Sequence, residues 1–185
     1  MIEIKNLSFS FGSKTVLENF SMTVKDKSVT AVTGKSGSGK STLINLICGL
    51  LKADKGEIIS DTDRYAVVFQ EDRLLPWYSV KENVSIVSDE ISAEYWLEKV
   101  GLSDSLNLFP HELSGGMKRR TALARALAYS GDVLILDEAF NGIDEETKGI
   151  LINIIKEQAK KTAVILISHH RDEIQQLADE IYKID

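Results

Sequence analysis

The chain of 185 residues carries 22 Lys and Arg against 28 Asp and Glu, which gives a formal net charge of −6 at pH 7. This length suits one domain with a sizeable core, and 43% hydrophobic with 27% charged residues is the composition of an ordinary globular protein. The acidic balance argues against a binder of duplex nucleic acid, which normally presents a basic face. Cys48 is the only cysteine, so an internal disulfide is excluded.

The first part of the chain is predicted to form β-strands around one helix. Apolar residues alternate along residues 2–24 on both sides of a turn at residues 12–13, which indicates two short antiparallel strands. Further strands are predicted at residues 29–33, 56–60 and 65–69. The helix that follows the strand at 29–33 is expected to bury Leu43, Ile44, Ile47, Leu50 and Leu51.

The middle of the chain changes to a helical pattern over residues 76–112. Ser92 is predicted to cap a helix that stops at Gly101, and a second helix is predicted over residues 114–130. No repeat or linker interrupts the chain, so tethered domains are not expected.

Apolar strands alternate with helices in the last third of the chain. Strands are predicted at residues 133–136 and 163–167, and Asp144 is predicted to cap the helix between them. Two more helices are expected here, each with one buried face. The buried residues would be Ile150, Leu151, Ile154 and Ile155 in the first helix, and Ile174, Leu177, Ala178 and Ile181 in the last. Fully apolar strands separated by helices favour a parallel sheet that is covered on both faces.

Residues 34–42 fit the phosphate-loop pattern G-x-x-x-x-G-K-[ST], between a predicted strand and a predicted helix. Glycines let the backbone curl so that successive N–H groups point at phosphate oxygens, and the helix N-terminus adds partial positive charge. Lys40 can reach the β- and γ-phosphates, and the Ser41 hydroxyl can ligate Mg²⁺. The predicted phosphate-binding residues are Gly34, Lys35, Ser36, Gly37, Ser38, Gly39, Lys40, Ser41 and Thr42.

Two acids follow the apolar strand at residues 133–136. A buried strand delivers Asp137 to the carboxyl edge of the sheet, where ligands bind in open α/β folds, so Asp137 can hold Mg²⁺. Glu138 can accept a proton from an attacking water. Two solvated acids at a strand end are the alternative interpretation, and the phosphate loop upstream argues against it.

Together with these motifs, the Leu-Ser-Gly-Gly-Met sequence at residues 113–117 resembles the signature of the ATP-binding cassette (ABC) family. The resemblance covers residues 2–184. It implies an α/β P-loop NTPase fold with a parallel core sheet, an N-terminal antiparallel β subdomain and a small helical subdomain. Residues 1–185 would form one ABC ATPase domain, with the helical lobe inserted at about residues 76–130. ATP and Mg²⁺ would be bound, and ATP would be hydrolysed to ADP and phosphate.

The resemblance also implies roles for single residues outside the two motifs. Phe11 matches the aromatic residue that stacks on adenine. Gln70 matches the glutamine that helps to order Mg²⁺ and water, and His169 matches the histidine that senses the γ-phosphate. In a head-to-tail dimer, the nucleotide on one subunit would meet the partner's signature and the loop after its acid pair, which here are Ser114, Gly115, Gly116, Met117 and Asp144.

The chain departs from the family pattern around this site. Arg119 stands where glutamine is common, and Asn-Gly-Ile at residues 141–143 replaces the usual Gly-Ala-Leu. Neither change removes a catalytic group. Lys118, Arg119 and Arg120 are expected to strengthen the positive field at the signature, and His170 is expected to be solvated.

Residues 69–77, Phe-Gln-Glu-Asp-Arg-Leu-Leu-Pro-Trp, resemble a segment of nitrate-, sulfonate-, taurine- and thiamine-precursor-type importer ATPases. Leu74, Leu75 and Trp77 are expected to form an exposed apolar patch, as protein interfaces often do; a Trp buried in the helical lobe is the alternative. The resemblance implies three partners: a transmembrane permease, a second ABC ATPase subunit in a homodimer, and an extracytoplasmic solute-binding protein. The expected location is peripheral, at the cytoplasmic face of the cell membrane.

The leading hypothesis is therefore the ATPase subunit of an importer for a small anion or a vitamin precursor. A soluble ABC-type ATPase that is not coupled to transport remains the alternative, and the segment at residues 69–77 speaks against it. A DNA-repair ATPase of the same superfamily is disfavoured because the chain has no room for a long coiled coil. A small-molecule kinase has no use for the Ser-Gly-Gly motif or for His169.

Overall fold

A computed structural model describes residues 1–184 and contains two sheets and six helices in that range. The strands are β1 Ile2–Phe11, β2 Lys14–Val24, β3 Val29–Gly34, β4 Lys55–Ser60, β5 Tyr65–Val68, β6 Val133–Asp137, β7 Ala163–Ile167 and β8 Glu180–Ile184. The helices are α1 Lys40–Ile47, α2 Val80–Ser85, α3 Glu90–Lys99, α4 Gly115–Tyr129, α5 Glu145–Ala159 and α6 Arg171–Leu177. Short 3-10 turns lie at Ser103–Ser105 and Pro110–Glu112.

The strands form an antiparallel sheet and a parallel sheet, as the sequence predicts. The three-stranded antiparallel sheet has the order β2-β1-β4, and the hairpin between β1 and β2 pairs Phe11 with Lys14. The five-stranded sheet has the order β5-β6-β7-β3-β8, with every pairing parallel. The predicted fold class is thereby confirmed.

Strands β6 and β7 are buried at every residue because the parallel sheet is covered on both faces. Alternate side chains enter two cores. One core joins the parallel sheet to β1, β2 and α1, and it contains Val133, Ile135, Ala163 and Ile165. The other lies under α2 to α5 and contains Leu134, Leu136, Val164 and Leu166. Each fully buried valine, leucine or isoleucine side chain contributes about 1.5–3 kcal/mol.

Three central strands of the parallel sheet end at the same edge of the molecule. Strand β3 leads into α1 through residues 35–39, β6 ends at Asp137, and β7 ends just before Ser168 and His169. Because parallel strands point the same way, their carboxyl ends bring these polar residues together. The fold therefore builds its site from segments that are distant in the sequence.

Helices α2, α3 and α4 pack on one another between β5 and β6 in the chain. Ser79 caps α2 with a capping box that includes Glu82. The prediction that Ser92 caps α3 is wrong, because the Asp89 carboxylate accepts the Ser92 N–H at 2.8 Å and the helix starts at Glu90. Within residues 1–184, no helix combines the length and the apolar character needed to cross a membrane.

Three predicted core residues lie at the surface. Leu50 is 63% exposed because α1 ends at Ile47 and the chain then turns away. Ile150 is 52% exposed on the outer face of α5. Ile181 is 60% exposed because the last helix stops at Leu177, and a short edge strand that the sequence does not predict, β8, follows it.

The fold makes opposite predictions for two glycine-to-alanine substitutions. Gly56 in β4 has a φ of +82°, and a Cβ there would lie 2.4 Å from the carbonyl oxygens of Lys5 and Asn6. Gly56→Ala should destabilise the protein by at least about 2 kcal/mol, since left-handed backbone alone disfavours alanine by roughly 1–2 kcal/mol. Gly149 is exposed in α5 with open space around it, so Gly149→Ala should stabilise by about 0.5–1 kcal/mol.

Thermal unfolding followed by circular dichroism measures both effects. A change of about 2 kcal/mol corresponds to a shift of roughly 4–8 °C in Tm for a domain of this size. Equal Tm values for the two variants would contradict the close packing of β4 against β1 at Gly56.

Candidate active site

An open cleft of about 610 Å³ lies at the carboxyl edge of the parallel sheet. Its lining includes every predicted phosphate-loop residue except Ser38. The other predicted site residues in its lining are Phe11, Gln70, Asp137, Glu138 and His169. The structure therefore brings together the hairpin, the phosphate loop and the ends of β5, β6 and β7.

The phosphate loop has the backbone geometry that an anion cradle needs. Gly37 and Gly39 have φ values of +79° and +98°, which glycine adopts without strain. A Cβ at Gly39 would lie 2.7 Å from the Val16 side chain, so the close approach of β2 also requires glycine there. Within residues 1–184, the buried Ser38 hydroxyl has no hydrogen-bond partner. An unpaired buried hydroxyl beside curled backbone at the start of α1 fits a phosphate ligand.

Lys40 folds back over its own loop. Its ammonium donates to the carbonyl oxygens of Gly34 at 2.9 Å and Lys35 at 2.8 Å, and the residue is only 9% exposed. These two bonds hold the ammonium inside the loop. Phosphate oxygens are stronger partners for an ammonium than peptide carbonyls, so the lysine is already directed at the place where they would bind.

Ser41 and Asp137 form an oxygen pair that fits Mg²⁺. The Ser41 hydroxyl donates to Asp137 Oδ2 at 3.0 Å, and hydroxyl and carboxylate oxygens are the ligands that Mg²⁺ prefers. Burial raises the pKa of the Asp137 carboxyl above its usual range, and the neighbouring Glu138 charge adds to this. The hydrogen bond from Ser41 and the charges of Lys40 and Arg119 act in the opposite direction. A bound cation would relieve the cost of burying this carboxylate.

Glu138 is held at the cleft in a backbone conformation that is unusual for a residue with a side chain. Its φ is +52°, and its N–H donates to the Ile167 carbonyl at 2.9 Å, which ties it to the end of β7. His169 Nδ1 lies 2.8 Å from Oε1 of the carboxylate, and Asn141 Nδ2 donates to Oε2 at 2.6 Å. Burial would raise the pKa of Glu138, but the hydrogen bonds from His169 and Asn141 and the charge of Lys40 lower it. The carboxyl is therefore ionised and able to accept a proton.

His170 is not solvated as the sequence predicts. It is half-buried, its Nε2 lies 3.1 Å from Asn141 Oδ1, and its ring centroid lies 4.1 Å from that of His169. Asn141, Lys14 and Val16 line or border the nucleotide cleft without having been predicted as site residues. The sequence marks Asn141 only as part of the departure from the family pattern at residues 141–143, and it gives no signal for Lys14 or Val16.

The signature residues and Asp144 do not line the cleft. Ser114 caps α4, where its hydroxyl accepts the Met117 N–H at 3.2 Å, and Met117 is half-buried against the core. Asp144 caps α5 as predicted, by accepting the Thr147 N–H at 2.9 Å. The exposed α4 N-terminus at Ser114 and Gly115 faces solvent in the single chain.

The Arg119 side chain points away from the signature, although the sequence predicts that it strengthens the positive field there. It is 8% exposed and points to the loop after β5, where Nη1 donates to the Phe69 carbonyl at 2.6 Å and Nη2 donates to the Gln70 carbonyl. Its Nε lies 3.3 Å from the Asp72 carboxylate. Arg119 therefore anchors the backbone of Gln70 to α4, a role that the sequence did not indicate.

Arg120 also turns away from the signature. Its Nη1 donates to the carbonyl oxygens of Val100 and Gly101 at 3.0 and 2.9 Å, which fixes the end of α3 to α4. Two of the three cationic side chains at residues 118–120 therefore point to backbone carbonyls of other segments, and their contribution to the positive field at the signature stays a prediction.

The raised pKa of Asp137 predicts that Asp137→Asn increases the Tm of the nucleotide-free protein. Above the folded-state pKa the wild-type carboxyl is ionised and buried at a cost in folding free energy, which an amide of the same shape avoids. Below the unfolded-state pKa the wild-type group is protonated in both states and this cost disappears.

Thermal unfolding of both proteins across a series of pH values tests this expectation. The Tm difference should be largest near neutrality and should shrink as the pH falls. Adding Mg²⁺ with ATP should stabilise the wild type more than the variant. A Tm difference that is independent of pH would show that burial of the charge is not its cause.

Comparison with known proteins agrees with this geometry. A sequence model of the ABC transporter family matches residues 17–141. The intermembrane phospholipid transport system ATP-binding protein MlaF of Haemophilus influenzae is 35% identical, over 100% of this chain and 80% of its own length. The aliphatic sulfonates import ATP-binding protein SsuB 1 of Agrobacterium fabrum is 40% identical, over 98% of this chain and 70% of its own length.

A solved structure has the same fold. The ATP-binding cassette MJ0796, in a dimeric post-hydrolysis state bound to ADP and Pi, superimposes with a TM-score of 0.90 at 26% sequence identity. The superposition covers 100% of this chain and 94% of that one. With the phosphate loop and the acid pair in one cleft, these matches establish that the chain belongs to the ABC transporter family and is an ATP-binding cassette ATPase.

Proposed function

We propose that this ATPase powers solute transport through a separate permease, and that residues 1–185 form one ABC ATPase domain with a helical lobe at about residues 76–130. The observation that carries the proposal is the cleft itself. It places Lys40, the Ser41–Asp137 pair and the Glu138 carboxylate around one space of about 610 Å³. Binding, metal ligation and proton acceptance are the three tasks that hydrolysis of a nucleoside triphosphate requires.

In this proposal the adenine ring stacks on Phe11, which is 55% exposed and supported edge-on by Phe9 at 4.9 Å. The loop amides and Lys40 hold the phosphates, with Lys40 exchanging the carbonyls of its own loop for phosphate oxygens. Ser41 and Asp137 would hold Mg²⁺, with Gln70 beside them, and the metal would supply charge neutralisation on the phosphates.

In this proposal Glu138 accepts the proton of the attacking water. In the nucleotide-free chain His169 occupies Oε1 of this carboxylate. If His169 turns to the γ-phosphate, as the family resemblance implies, the same movement frees Oε1 for a water. Most of the rate enhancement would then come from positioning and from stabilisation of charge.

A second copy of the chain would complete the site. The signature residues Ser114 to Met117 and the loop at Asp144 lie outside the cleft, yet the exposed N-terminus of the 15-residue helix α4 presents free amides and partial positive charge. We infer a head-to-tail homodimer in which this helix end meets the γ-phosphate on the other subunit. The dimeric state of the similar cassette structure supports this arrangement.

A groove beside the Gln70 loop is proposed as the permease docking site. It has a volume of about 430 Å³ and is lined in part by Tyr65, Phe69, Arg73, Val87 and Tyr129. In this proposal the chain is a peripheral subunit at the cytoplasmic face of the membrane. Because the groove borders the loop that carries Gln70, docking there can be communicated to the nucleotide site.

The apolar patch predicted near this loop is smaller than expected. Trp77 is 68% exposed, which excludes the alternative of a buried tryptophan. Leu74 and Leu75 are half-buried, and Leu74 packs on the core. Trp77 is thus the exposed apolar group of the segment, and its exposure favours a protein partner over a soluble ATPase without one.

For the solute we propose a small anion or a vitamin precursor, imported with the help of an extracytoplasmic solute-binding protein. Similarity to the sulfonate import ATPase and the importer-type segment at residues 69–77 support this choice. Intermembrane phospholipid transport is a second candidate, because the MlaF protein is similar over the whole chain.

Affinity purification of the tagged chain from gently solubilised native membranes, followed by mass spectrometry, tests the transport proposal. We expect a multi-spanning membrane protein in stoichiometric amount. A co-purifying periplasmic or extracellular binding protein would favour import, whereas lipid-binding companions would favour the phospholipid candidate. Recovery of soluble partners alone would support the soluble ABC-type ATPase instead.

The assignment of Glu138 predicts the behaviour of Glu138→Gln. The amide cannot accept the proton of the attacking water, so ATP hydrolysis should fall by at least about 100-fold. ATP binding should persist, because Glu138 does not hold the phosphates, and the variant should accumulate as an ATP-bound dimer. Phosphate release assays and size-exclusion chromatography with ATP measure the two effects.

Lys40→Ala provides the matched control. This variant should lose tight ATP binding and therefore should not dimerise with ATP. Undiminished hydrolysis by Glu138→Gln would remove Glu138 from the role of base, and unchanged ATP affinity in Lys40→Ala would remove Lys40 from the site.

A further inference from the structure

We propose that Asn141 and His170 form a positioning relay that aims the carboxylate of Glu138. The inference rests on the proposed function of Glu138 as the acceptor of the water proton. Asn141 lies in the segment at residues 141–143 that departs from the family pattern. His170 directly follows His169, the histidine that the family pattern matches to the γ-phosphate. Neither residue was predicted to act in the site.

Asn141 contacts Glu138 at two points. Its backbone N–H donates to the Glu138 carbonyl at 3.2 Å, which closes a tight turn directly after β6. Its side-chain Nδ2 donates to Glu138 Oε2 at 2.6 Å. Both partners are shielded, since the Glu138 side chain is only 12% exposed and Asn141 is half-buried. A bond to an ionised group in such a place is worth more than an ordinary surface hydrogen bond.

The chemistry of the groups fixes the direction of the whole chain of bonds. An ionised carboxylate only accepts, so the amide nitrogen of Asn141 must face Glu138. Asn141 Oδ1 then faces His170 Nε2 at 3.1 Å, and that nitrogen must carry a hydrogen. His170 therefore donates to Asn141, and Asn141 donates to Glu138. Each bond polarises the next and makes a rotated amide unfavourable.

His170 is itself anchored. Its backbone N–H donates to Ser168 Oγ at 3.0 Å, and the Ser168 hydroxyl donates to the Glu173 carboxylate at 2.6 Å. Ser168 and Glu173 are each 1% exposed. The ring of His170 also packs against that of His169. The far end of the relay is thus fixed to the buried end of β7 and the first turn of α6.

The two carboxylate oxygens of Glu138 have different hydrogen-bond partners. His169 holds Oε1, and its side chain is 55% exposed and free to turn to a γ-phosphate. Asn141 is half-buried and holds Oε2, while its own Oδ1 accepts from His170. When His169 leaves, Oε1 becomes available to water while Oε2 stays in place, so the free oxygen keeps its direction. The relay therefore acts on Glu138 and not on the nucleotide.

A double-mutant cycle on the full chain tests the relay, with kcat and KM for ATP measured in Mg²⁺. Asn141→Ala should lower kcat by roughly 10-fold or more while KM changes by less than about twofold, since the base is misaligned but the phosphate contacts remain. His170→Ala should lower kcat by a smaller factor. The double variant should match Asn141→Ala, because His170 acts only through Asn141.

Two further variants separate positioning from structural damage. His170→Gln can still donate to Asn141 and should recover most of the activity lost in His170→Ala. His111→Ala removes an exposed histidine remote from the cleft and should keep wild-type kcat. Tm and ATP affinity are measured for every variant. If Asn141→Ala does not fold, the kcat values of His170→Ala and His170→Gln are compared, and a higher kcat in His170→Gln supports the relay.

Additive losses in the double variant, wild-type kcat in Asn141→Ala, or no recovery in His170→Gln would each overturn the relay. Failure of the proposed function of Glu138 would give a different result from failure of the relay. In that case Glu138→Gln retains hydrolysis, whereas failure of the relay alone leaves Glu138→Gln inactive and Asn141→Ala active.

Discussion

Burial of both faces of the parallel sheet is the constraint on which the rest of this structure depends. Every residue of β6 and β7 is enclosed, so these strands can present polar groups only where they end. Parallel strands end at one edge, and that edge receives the phosphate loop from β3, the acids from β6 and the histidines from β7. The site is therefore a consequence of how the core is covered.

The same edge concentrates charges that the nucleotide-free chain must satisfy internally. Lys40 uses carbonyls of its own loop, and Glu138 uses His169 and Asn141. Among the residues that the structure describes, the Asp137 carboxyl has only the Ser41 hydroxyl as a hydrogen-bond partner, and its pKa is raised. The loop carbonyls at Lys40 and the His169 nitrogen at Glu138 lie where phosphate oxygens or water would bind, whereas Ser41 and Asn141 would keep their partners. Ligand binding would then exchange internal contacts for better ones, with little rearrangement of the sheet.

Helix α4 connects the regions of the molecule that must respond to one another. Its N-terminus carries the signature, its middle anchors the Gln70 loop through Arg119, and its far half packs on β5. Arg125, six positions after Arg119, donates to the carbonyls of Asp72 and Arg73 in the same loop. A loop held by two arginines of one helix must move with that helix. The groove proposed for docking and the nucleotide cleft share this loop, which gives a physical route between them.

The sequence by itself determined the features that depend on neighbours in the chain. Residues 34–42, the strand ending at Asp137 and the cap at Asp144 follow from local spacing, and the structure places them as expected. Only the tertiary structure decided the contacts that link distant segments. Arg119 meets Phe69 across 50 positions and His170 meets Asn141 across 29, so no periodicity or cap pattern could reveal either pair.

The same reason explains the local errors. Edge strand β8 is defined by pairing with β3, and the exposure of Ile150 and Ile181 depends on which face the rest of the chain covers. Propensity and spacing fix what a segment can form on its own. Which arginine becomes an anchor, and which histidine contacts Glu138 or Asn141, is settled only when the sheet brings remote residues within hydrogen-bond distance.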